Sequence, residues 1–457
     1  MTTFDPRTNP LSRPASRTIS RRGFFAAGGA VGGALLLSAC GGTSKPPSAA
    51  APPAATGAAA GGATYSGPKV TVKFWNGWTG ADGDVAKKMI AEFNSSTPNV
   101  QVNMNIQQWA DFFQKLPAAV TSGNGPDIAV MHIDDIPTQA AQQVIVPIGD
   151  VATALGLKES DFAPAVWTGG MYKGQRFGIP IDVHDLGLYY NESLFSKAKI
   201  DKPPTNEDEY MAALDKLKAV GIQGSWVSPF QFTGGFQFQS LLWQFGGDLY
   251  DKDVTKATWA SDAGVKALTW MTDLIKKGYS PANVAQDADY IALKNAKNAL
   301  NWQGIWQVNE ATTLKTTKIL TAPLPKIGPS GGVWGNSHQF VLPKAKTTDQ
   351  HVADASRYFV NWFTRHEIDW AASAKVPASN ALAASAGFKK LTQLDAFSAE
   401  VPDVHFPPAV AGVGDATAKL YDAIQSVVLG KSQPEQALTS SAAAATKILG
   451  DNAKKYG

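Results

Sequence analysis

Cysteine is almost missing from this sequence, since Cys40 is the only one among 457 residues. A single cysteine excludes an internal disulfide framework and any metal site built from several thiolate ligands. The folded part of the chain must therefore be stabilised by its hydrophobic core, and a chain of this length can bury a large one.

The part of the chain beyond residue 39 has few arginines and almost no net charge. Removing residues 1–39, which hold five Arg and one Asp, leaves 36 basic against 37 acidic residues and three arginines, Arg176, Arg357 and Arg365. A nearly neutral chain does not predict a nucleic-acid surface. Because planar, two-pronged capture of phosphate or carboxylate favours arginine, we expect a neutral ligand. Glycerophosphodiester or glycerol phosphate remains an alternative ligand, because lysine or backbone amides also hold phosphate. A polyol is a further alternative.

A long hydrophobic run of the kind that spans a membrane is not found near the N-terminus. The apolar stretch 23–39 has 17 residues, many of them Gly or Ala, whereas a span needs about 20 strongly apolar residues. Its basic head, short apolar middle and small final residues are typical of an export signal. "SRRGFF" (20–25) resembles a twin-arginine signal, and "LSAC" (37–40) resembles a bacterial lipobox.

The lipobox resemblance implies that the Cys40 thiol receives a diacylglyceryl group and that cleavage occurs before it. We therefore expect a signal peptide over 1–39 and an extracytoplasmic protein that is lipid-anchored to the cell membrane, with either the twin-arginine or the Sec route open. Residues 40–68 are mostly Gly, Ala, Pro, Ser and Thr. This composition buries too little apolar surface to fold, so it predicts a disordered tether.

The remaining chain alternates strand and helix patterns. "KVTVKFW" (69–75), 99–106 and 127–133 have apolar residues at every second position or in a short run, and 82–94 and 109–121 have helical spacing. This order predicts an open α/β sheet, whose ligands bind beyond the carboxyl ends of the strands. The later part is mostly helical with short strands; we predict helices over 206–219, 235–245, 263–277, 350–363 and 415–428, and strands over 184–190, 298–302 and 338–343.

Four segments in one order carry a family resemblance. They are "GNGPDIAVMHIDD", "GIPIDVHDLGLYYNESLF", "NALNWQGIWQV" and "GGVWGNSHQFVLPK". With them the mature chain resembles extracellular solute-binding protein family 1, the maltose-binding-protein-like carbohydrate branch that serves ABC importers. The resemblance implies a binding lipoprotein that closes on a neutral mono- or oligosaccharide and delivers it to permease subunits, as a monomer without a cofactor.

The resemblance also implies a periplasmic-binding-protein-like fold of two discontinuous α/β lobes with a cleft between them. The chain would cross between the lobes near 179–183, 298–304 and 336–340. The predicted N-terminal lobe is 69–181 plus 300–338, and the predicted C-terminal lobe is 182–299 plus 339–457.

Tryptophan is abundant, with thirteen, all beyond Cys40. A flat indole matches the C–H face of a sugar ring, and hiding about 100 Å² is worth roughly 2.5 kcal/mol. We expect Trp78, Trp306, Trp334 and Trp243 to contact the ligand; Trp306 matches a position where the family often stacks an aromatic ring on sugar. The others include residues that we assign to packing, namely Trp259, Trp270, Trp362 and Trp370.

A hydroxyl-rich ligand also needs hydrogen-bonding partners. Asp134 matches a sugar-binding position of the family, while Asp135 is also a candidate N-cap. His184 stands where related sugar binders can carry a carboxylate, which argues against maltose itself. The complete set of polar candidates is Asn76, Asp134, Asp135, His184, Asp185, Gln303, Asn336 and Ser337.

Two other classes of function have less support. A glycoside hydrolase would use a carboxylate pair, for which Asp134, Asp182 and Asp185 are available, but no G-x-S-x-G or H-E-x-x-H motif occurs. A metal receptor would need convergent histidines from His132, His184, His338 and His405, yet no pair has i, i+4 spacing. We therefore predict no catalytic residue and no metal ligand.

Overall fold

Two β-sheets, each flanked by helices, organise the chain in a computed structural model that describes residues 60–456. The predicted signal peptide, Cys40 and most of the predicted tether lie outside these residues. The strands are β1 (Val70–Asn76), β2 (Val100–Ile106), β3 (Ile128–His132), β4 (Ile145–Val146), β5 (Met171–Tyr172), β6 (Gln175–Arg176), β7 (Ile179–Pro180), β8 (Asp182–Asn191), β9 (Leu300–Gly304), β10 (Ile319–Ala322), β11 (Val333–Asn336), β12 (His338–Pro343), β13 (Val376–Pro377) and β14 (Val404–His405).

The helices follow the predicted apolar spacing, and several begin at polar caps. The side chains of Asn206, Ser261 and Asp349 accept hydrogen bonds from backbone N–H groups in the first turn of their helices. The helices are α1 (Ala81–Ser96), α2 (Trp109–Ser122), α3 (Ile136–Ala141), α4 (Gly149–Leu155), α5 (Pro164–Gly169), α6 (Glu192–Lys197), α7 (Glu207–Ala219), α8 (Phe236–Gln244), α9 (Asp262–Lys276), α10 (Ala288–Lys294), α11 (Val308–Thr313), α12 (Gln350–Arg365), α13 (Glu367–Trp370), α14 (Asn380–Ala383), α15 (Asp395–Glu400), α16 (Val413–Val428) and α17 (Pro434–Tyr456).

The first sheet has the strand order β2-β1-β3-β12-β4, and β7 also pairs with β12. The three strands β1, β2 and β3 run parallel, as the strand–helix alternation predicts. β12 arrives from much later in the chain and lies antiparallel to β3. Residues 128–131 are fully buried because helices cover both faces of this sheet.

The second sheet is built around β8 and has the order β10-β8-β11-β14, with β9 and β13 also paired to β8. β8 is antiparallel to each of its partners. The large apolar core beside this sheet includes residues of α7, α8, α9, α16 and α17. None of the helices within residues 60–456 is both long enough and apolar enough to cross a membrane.

Three crossings join the sheets. The chain passes from β7 to β8 at Ile181 and from β11 to β12 at Ser337, close to two of the predicted crossings. It crosses again after Trp370, which packs in the core of the first sheet, and before β13, which pairs with β8. Near this third crossing, Lys375 forms a buried ion pair with Asp82 of α1 at 3.4 Å.

The assignment of the later segments to lobes differs from the prediction. β9, β10 and β11 lie within 300–338, and all three pair with β8 in the second sheet. β12 pairs with the first sheet, and α12 packs on that sheet. We therefore define the first lobe as 70–181 plus 338–370, and the second lobe as 182–336 plus 376–456. The expected crossing near 298–304 is absent from the described chain, because β9 stays in the second sheet.

Candidate functional site

The crossing strands bring several polar side chains to one point between the sheets. His338, the first residue of β12, lies directly opposite His132, the last residue of β3. Two residues earlier, Asn336 ends β11 and lies opposite His184 of β8. Because only Ser337 separates these two pairings, the backbone register places His132, His184 and His338 side by side.

Asp182 is the buried anchor of this cluster. Its carboxylate accepts hydrogen bonds from Nδ1 of His184 at 3.1 Å, Nδ1 of His338 at 2.9 Å and Nε1 of Trp370 at 2.8 Å. It also accepts the backbone N–H of His338 at 3.1 Å. These four contacts satisfy a charge that has no access to water.

At neutral pH the Asp182 carboxylate is ionised and the His184 and His338 rings are uncharged. Burial opposes ionisation of Asp182, but its contacts with His338 and His184 hold the pKa of this carboxyl well below its usual range. Burial lowers the pKa of His184 to about 3 and that of His338 to about 4. Both imidazoles are therefore neutral at pH 7, and each donates its Nδ1–H to the carboxylate.

Aromatic rings enclose the three histidines. The Trp109 ring centroid lies 4.4 Å from that of His132, and the same indole stacks on His338 at 5.5 Å. On the other side, the rings of Trp306 and Trp334 lie 6.2 and 6.1 Å from His184. These two indoles are nearly perpendicular, with centroids 6.4 Å apart. The arrangement offers flat apolar faces next to polar groups.

Asn336 connects the two lobes at this site. Its side-chain amide donates to Asp134 at 3.0 Å, and its side-chain oxygen accepts the N–H groups of Ile133 and Ser337. Asp134 follows β3 of the first lobe, whereas Asn336 ends β11 of the second. Separation of the lobes would break the bonds from Asn336 to Asp134 and Ile133.

The structure brings together five of the sequence-predicted residues at this site. Trp306 is half-buried, whereas Trp334 is almost fully buried and one of its faces is stacked on Phe236 at 3.6 Å. They share the site with His184, Asn336 and Asp134. The contacts among these residues leave little exposed surface at the site, so a ligand could enter only after the lobes separate.

Trp78 does not lie with the other two tryptophans. Its indole is 1% exposed and belongs to the core of the first lobe, where it packs against Phe74, Phe363 and Trp370. Its ring only meets the edge of His338, at 5.9 Å. The position after β1 predicted exposure, but the helices above the first sheet cover this loop.

Trp243 and three polar candidates have local contacts instead. The Trp243 indole stacks on His405 at 4.7 Å and donates to Asp248. Asn76 is fully buried and accepts the Trp78 N–H, Gln303 accepts the N–H of the following residue, and the Ser337 hydroxyl donates to the carbonyl of His338.

Burial raises the pKa of the two remaining acidic candidates, Asp135 and Asp185. Asp135 stands at the N-cap position of α3, the alternative role considered for it, but its side chain makes no cap bond. Its carboxylate instead faces His132 at 3.7 Å. Burial, with the neighbouring Asp134 charge, raises the pKa of Asp135 to about 6. Asp185 is fully buried, neither carboxylate oxygen has a hydrogen-bond partner among the described residues, and burial raises its pKa well above the usual range.

Sequence reasoning missed the central role of Asp182 and the aromatic contribution of Trp109. Asp182 was considered only as a hydrolase carboxylate, and its partners lie 156 and 188 positions away in sequence. Trp109 could have been found, because it follows the carboxyl end of β2, the region where ligands of such sheets bind. His132 and His338 were considered only as weak candidates, since their convergence depends on strand pairing.

Comparisons with known proteins agree with this architecture. Residues 77–370 match the family described as bacterial extracellular solute-binding protein. A protein of Brucella abortus (strain 2308), named only as a binding protein, is 24% identical over 402 residues, covering 83% of this chain and 93% of its own. The diacetylchitobiose binding protein DasA of Streptomyces coelicolor is 25% identical over 229 residues, covering 49% and 51% of the two chains.

Solved structures show the same fold. The cyclic alpha-maltosyl-1,6-maltose binding protein of Arthrobacter globiformis superposes with a TM-score of 0.70 at 23% identity, covering 84% of this chain and 100% of that one. The fold is therefore that of a periplasmic binding protein with two sheet-containing lobes.

Proposed function

Because the chain belongs to the bacterial extracellular solute-binding protein family, we propose that it binds a neutral mono- or oligosaccharide between its lobes. It then delivers the sugar to the permease subunits of an ABC importer. The observation that carries this proposal is the pair of perpendicular indoles, Trp306 and Trp334, beside His184 at the crossing of the lobes.

The energetics of this site suit a sugar. Two indole stacks would contribute roughly 5 kcal/mol at about 25 cal/mol per Å². Asp134, Asn336 and His184 supply polar groups for hydroxyls, and the total approaches the roughly 8 kcal/mol of a micromolar complex before ordering costs. The similar proteins named for diacetylchitobiose and cyclic maltosyl-maltose support the same ligand class.

The arginine contacts favour a neutral ligand over a glycerophospho compound. Arg176 stacks on Trp167 and donates to backbone carbonyls, while Arg357 pairs with Asp150. Arg365 donates to the side chain of Asn361 on the same helix. All three arginines of the described chain are thus engaged away from Trp306 and Trp334.

A binding role without catalysis is also consistent with the buried carboxylates. Asp182 is fully used by two histidines and Trp370. Asp185 is enclosed and its pKa is raised well above the usual range by burial. Neither carboxyl is placed to exchange protons with solvent, so we propose that the ligand leaves chemically unchanged.

A thermal-shift and calorimetric screen tests the proposal. The panel contains mono-, di- and oligosaccharides, polyols and glycerophosphodiesters. A matching sugar at a hundredfold excess over Kd should raise the free energy of unfolding by about 2.7 kcal/mol. Replacing Trp306 with Ala should weaken that sugar about 10- to 100-fold, since one stack of roughly 2.5 kcal/mol is lost.

Trp362→Ala is the matched control, because this indole lies on α12 and packs against Phe93 of α1 and against His366. It should lower stability and leave the intrinsic sugar affinity unchanged. If the protein binds a glycerophosphodiester and none of the carbohydrates, the ligand is a glycerophospho compound and not a neutral sugar. Release of new reducing ends during incubation would instead indicate a hydrolase.

We further propose that Cys40 carries a lipid anchor. The lipobox-like "LSAC" and the preceding export-type stretch support this. In an expressing bacterium, the protein should partition with the membrane and incorporate labelled fatty acid, and Cys40→Ser should release it in unlabelled form. Equal membrane retention of both proteins, without label, would contradict the anchor.

A further inference from the structure

Three histidines from three different strands converge at the crossing of the lobes. One ring nitrogen from each of His132, His184 and His338 lies within 4.8 Å of the corresponding nitrogens of the other two. Their ring centroids are 4.2 to 5.5 Å apart. Two nitrogen ligands of one tetrahedral zinc lie about 3.4 Å apart, given bonds of about 2.0–2.1 Å. Small rotations of the rings would therefore bring the three nitrogens onto one ion.

The carboxylates around these rings have the arrangement of an outer shell. Asp182 accepts Nδ1–H from both His184 and His338, so Nε2 is the nitrogen of each ring that this carboxylate does not engage. Asp135 faces Nδ1 of His132 at 3.7 Å. Metal-binding histidines almost always donate their other ring N–H to a carboxylate, carbonyl or water, which sets the tautomer and the orientation of the ring.

We propose that His132, His184 and His338 form a binding site for one divalent transition-metal ion, such as zinc. Imidazole nitrogen suits zinc, copper, nickel and iron, whereas calcium and magnesium take oxygen ligands. Three protein ligands leave a further coordination position open. The proposal does not depend on sugar binding, and it is measured without sugar.

Direct metal binding tests the site. The protein is prepared without a histidine tag, stripped with a chelator and dialysed, then titrated with Zn²⁺ by calorimetry and with Co²⁺ by visible absorption. One equivalent should bind per chain at micromolar metal. The absorption of bound Co²⁺ should have the intensity of a four- or five-coordinate nitrogen site rather than that of the hydrated ion.

His132→Gln is the first variant, because this side chain is partly exposed and its replacement disturbs the core least. It should weaken metal binding at least tenfold, and His184→Gln and His338→Gln should do the same. His351→Gln, on the exposed start of α12, is the matched control and should bind as the wild type does. If His184→Gln and His338→Gln do not fold, the metal affinity of His132→Gln tests the site by itself.

Two results would overturn the site. One is a folded wild-type protein that binds neither ion at micromolar concentration. The other is a His132→Gln protein with unchanged metal affinity and unchanged Co²⁺ absorption. Since sugar affinity is measured separately, a wild-type protein that binds sugar but neither metal ion rejects the metal site alone, and a wild-type protein that binds metal but no sugar rejects the proposed function alone.

Discussion

At the scale of single residues, burial determines which carboxyls are charged. Asp182 is ionised because two imidazoles and an indole donate to it. Asp185, three positions later, is equally buried but has no partner among the described residues, and its pKa is raised well above the usual range by that burial. Two aspartates on the same strand thus have pKa values shifted in opposite directions.

The raised pKa of Asp185 predicts a pH-dependent stability. Its folded pKa is raised, so folding takes up a proton above the unfolded pKa of about 3.9, and stability is lost as pH rises toward the folded pKa. Asp185→Asn removes that uptake. Between pH 5 and 7 the stability of the variant should fall less than that of the wild type, measured by urea unfolding at each pH.

Asp422→Asn is the control for this comparison, because Asp422 is exposed and pairs with Lys419 on the surface. The unfolding free energies of Asp422→Asn and of the wild type should change with pH in nearly the same way. If the unfolding free energy of Asp185→Asn also changes with pH as that of the wild type does, Asp185 is ionised in the folded protein.

At the scale of elements, helix α8 positions the strand that presents Trp334. The Ser240 hydroxyl accepts the backbone N–H of Trp334 at 2.9 Å. One turn later, the Gln244 amide donates to the carbonyls of Pro325 and Gly332 and accepts the Ile327 N–H. These bonds hold an irregular loop whose backbone groups would otherwise be buried without partners.

Gln244→Ala should therefore destabilise the protein by about 3 kcal/mol, since each buried group left unpaired costs about 1–3 kcal/mol and some will relax toward water. It should also weaken sugar binding, because Trp334 loses its support. Chemical unfolding and calorimetry measure the two effects.

Gln436→Ala, exposed on α17, supplies the control and should change stability by less than about 0.5 kcal/mol. A small effect of Gln244→Ala would indicate that the loop is held by its other contacts.

At the scale of the whole molecule, hydrogen bonds at the lobe interface favour the closed arrangement. Thr138 of the first lobe accepts the N–H of Gly412 of the second at 2.8 Å. Gln142 donates to the Tyr456 hydroxyl at 2.9 Å, and the Tyr172 hydroxyl donates to the Tyr456 carbonyl at 3.0 Å. We call these contacts the clasp.

Loosening the clasp should shift the population toward the open form. The double variant Thr138→Val and Gln142→Ala removes two bonds worth about 2 kcal/mol together, at about 0.5–1.5 kcal/mol each. Apparent sugar affinity should fall by up to about thirtyfold, because only the closed fraction binds with full affinity. The radius of gyration of the sugar-free protein, from X-ray scattering, should increase.

Saturating sugar should return the scattering of the double variant to the wild-type value. Thr153→Val, on the outer surface of α4, is the control and should change neither measurement. Unchanged affinity together with unchanged scattering would mean that the clasp does not contribute to closure.

The sequence by itself determined the local elements and the class of fold. Apolar spacing is a local property, so the strand at 338–343 and the helices at 207–219 and 350–365 lie within a few residues of their predictions. Two of the three expected crossings also lie where the family resemblance implied, and residues 77–370 match the family itself.

Only the tertiary structure decided which residues meet, because pairing between distant strands leaves no local pattern. It placed β9, β10 and β11 with β8 rather than in the first lobe. It buried Trp78 in the first core while keeping Trp306 beside Trp334. It also brought together the three histidines that spacing along the chain gave no reason to join. A side chain's neighbours depend on how strands and helices far apart in sequence pack together, and this packing follows from contacts that span hundreds of residues.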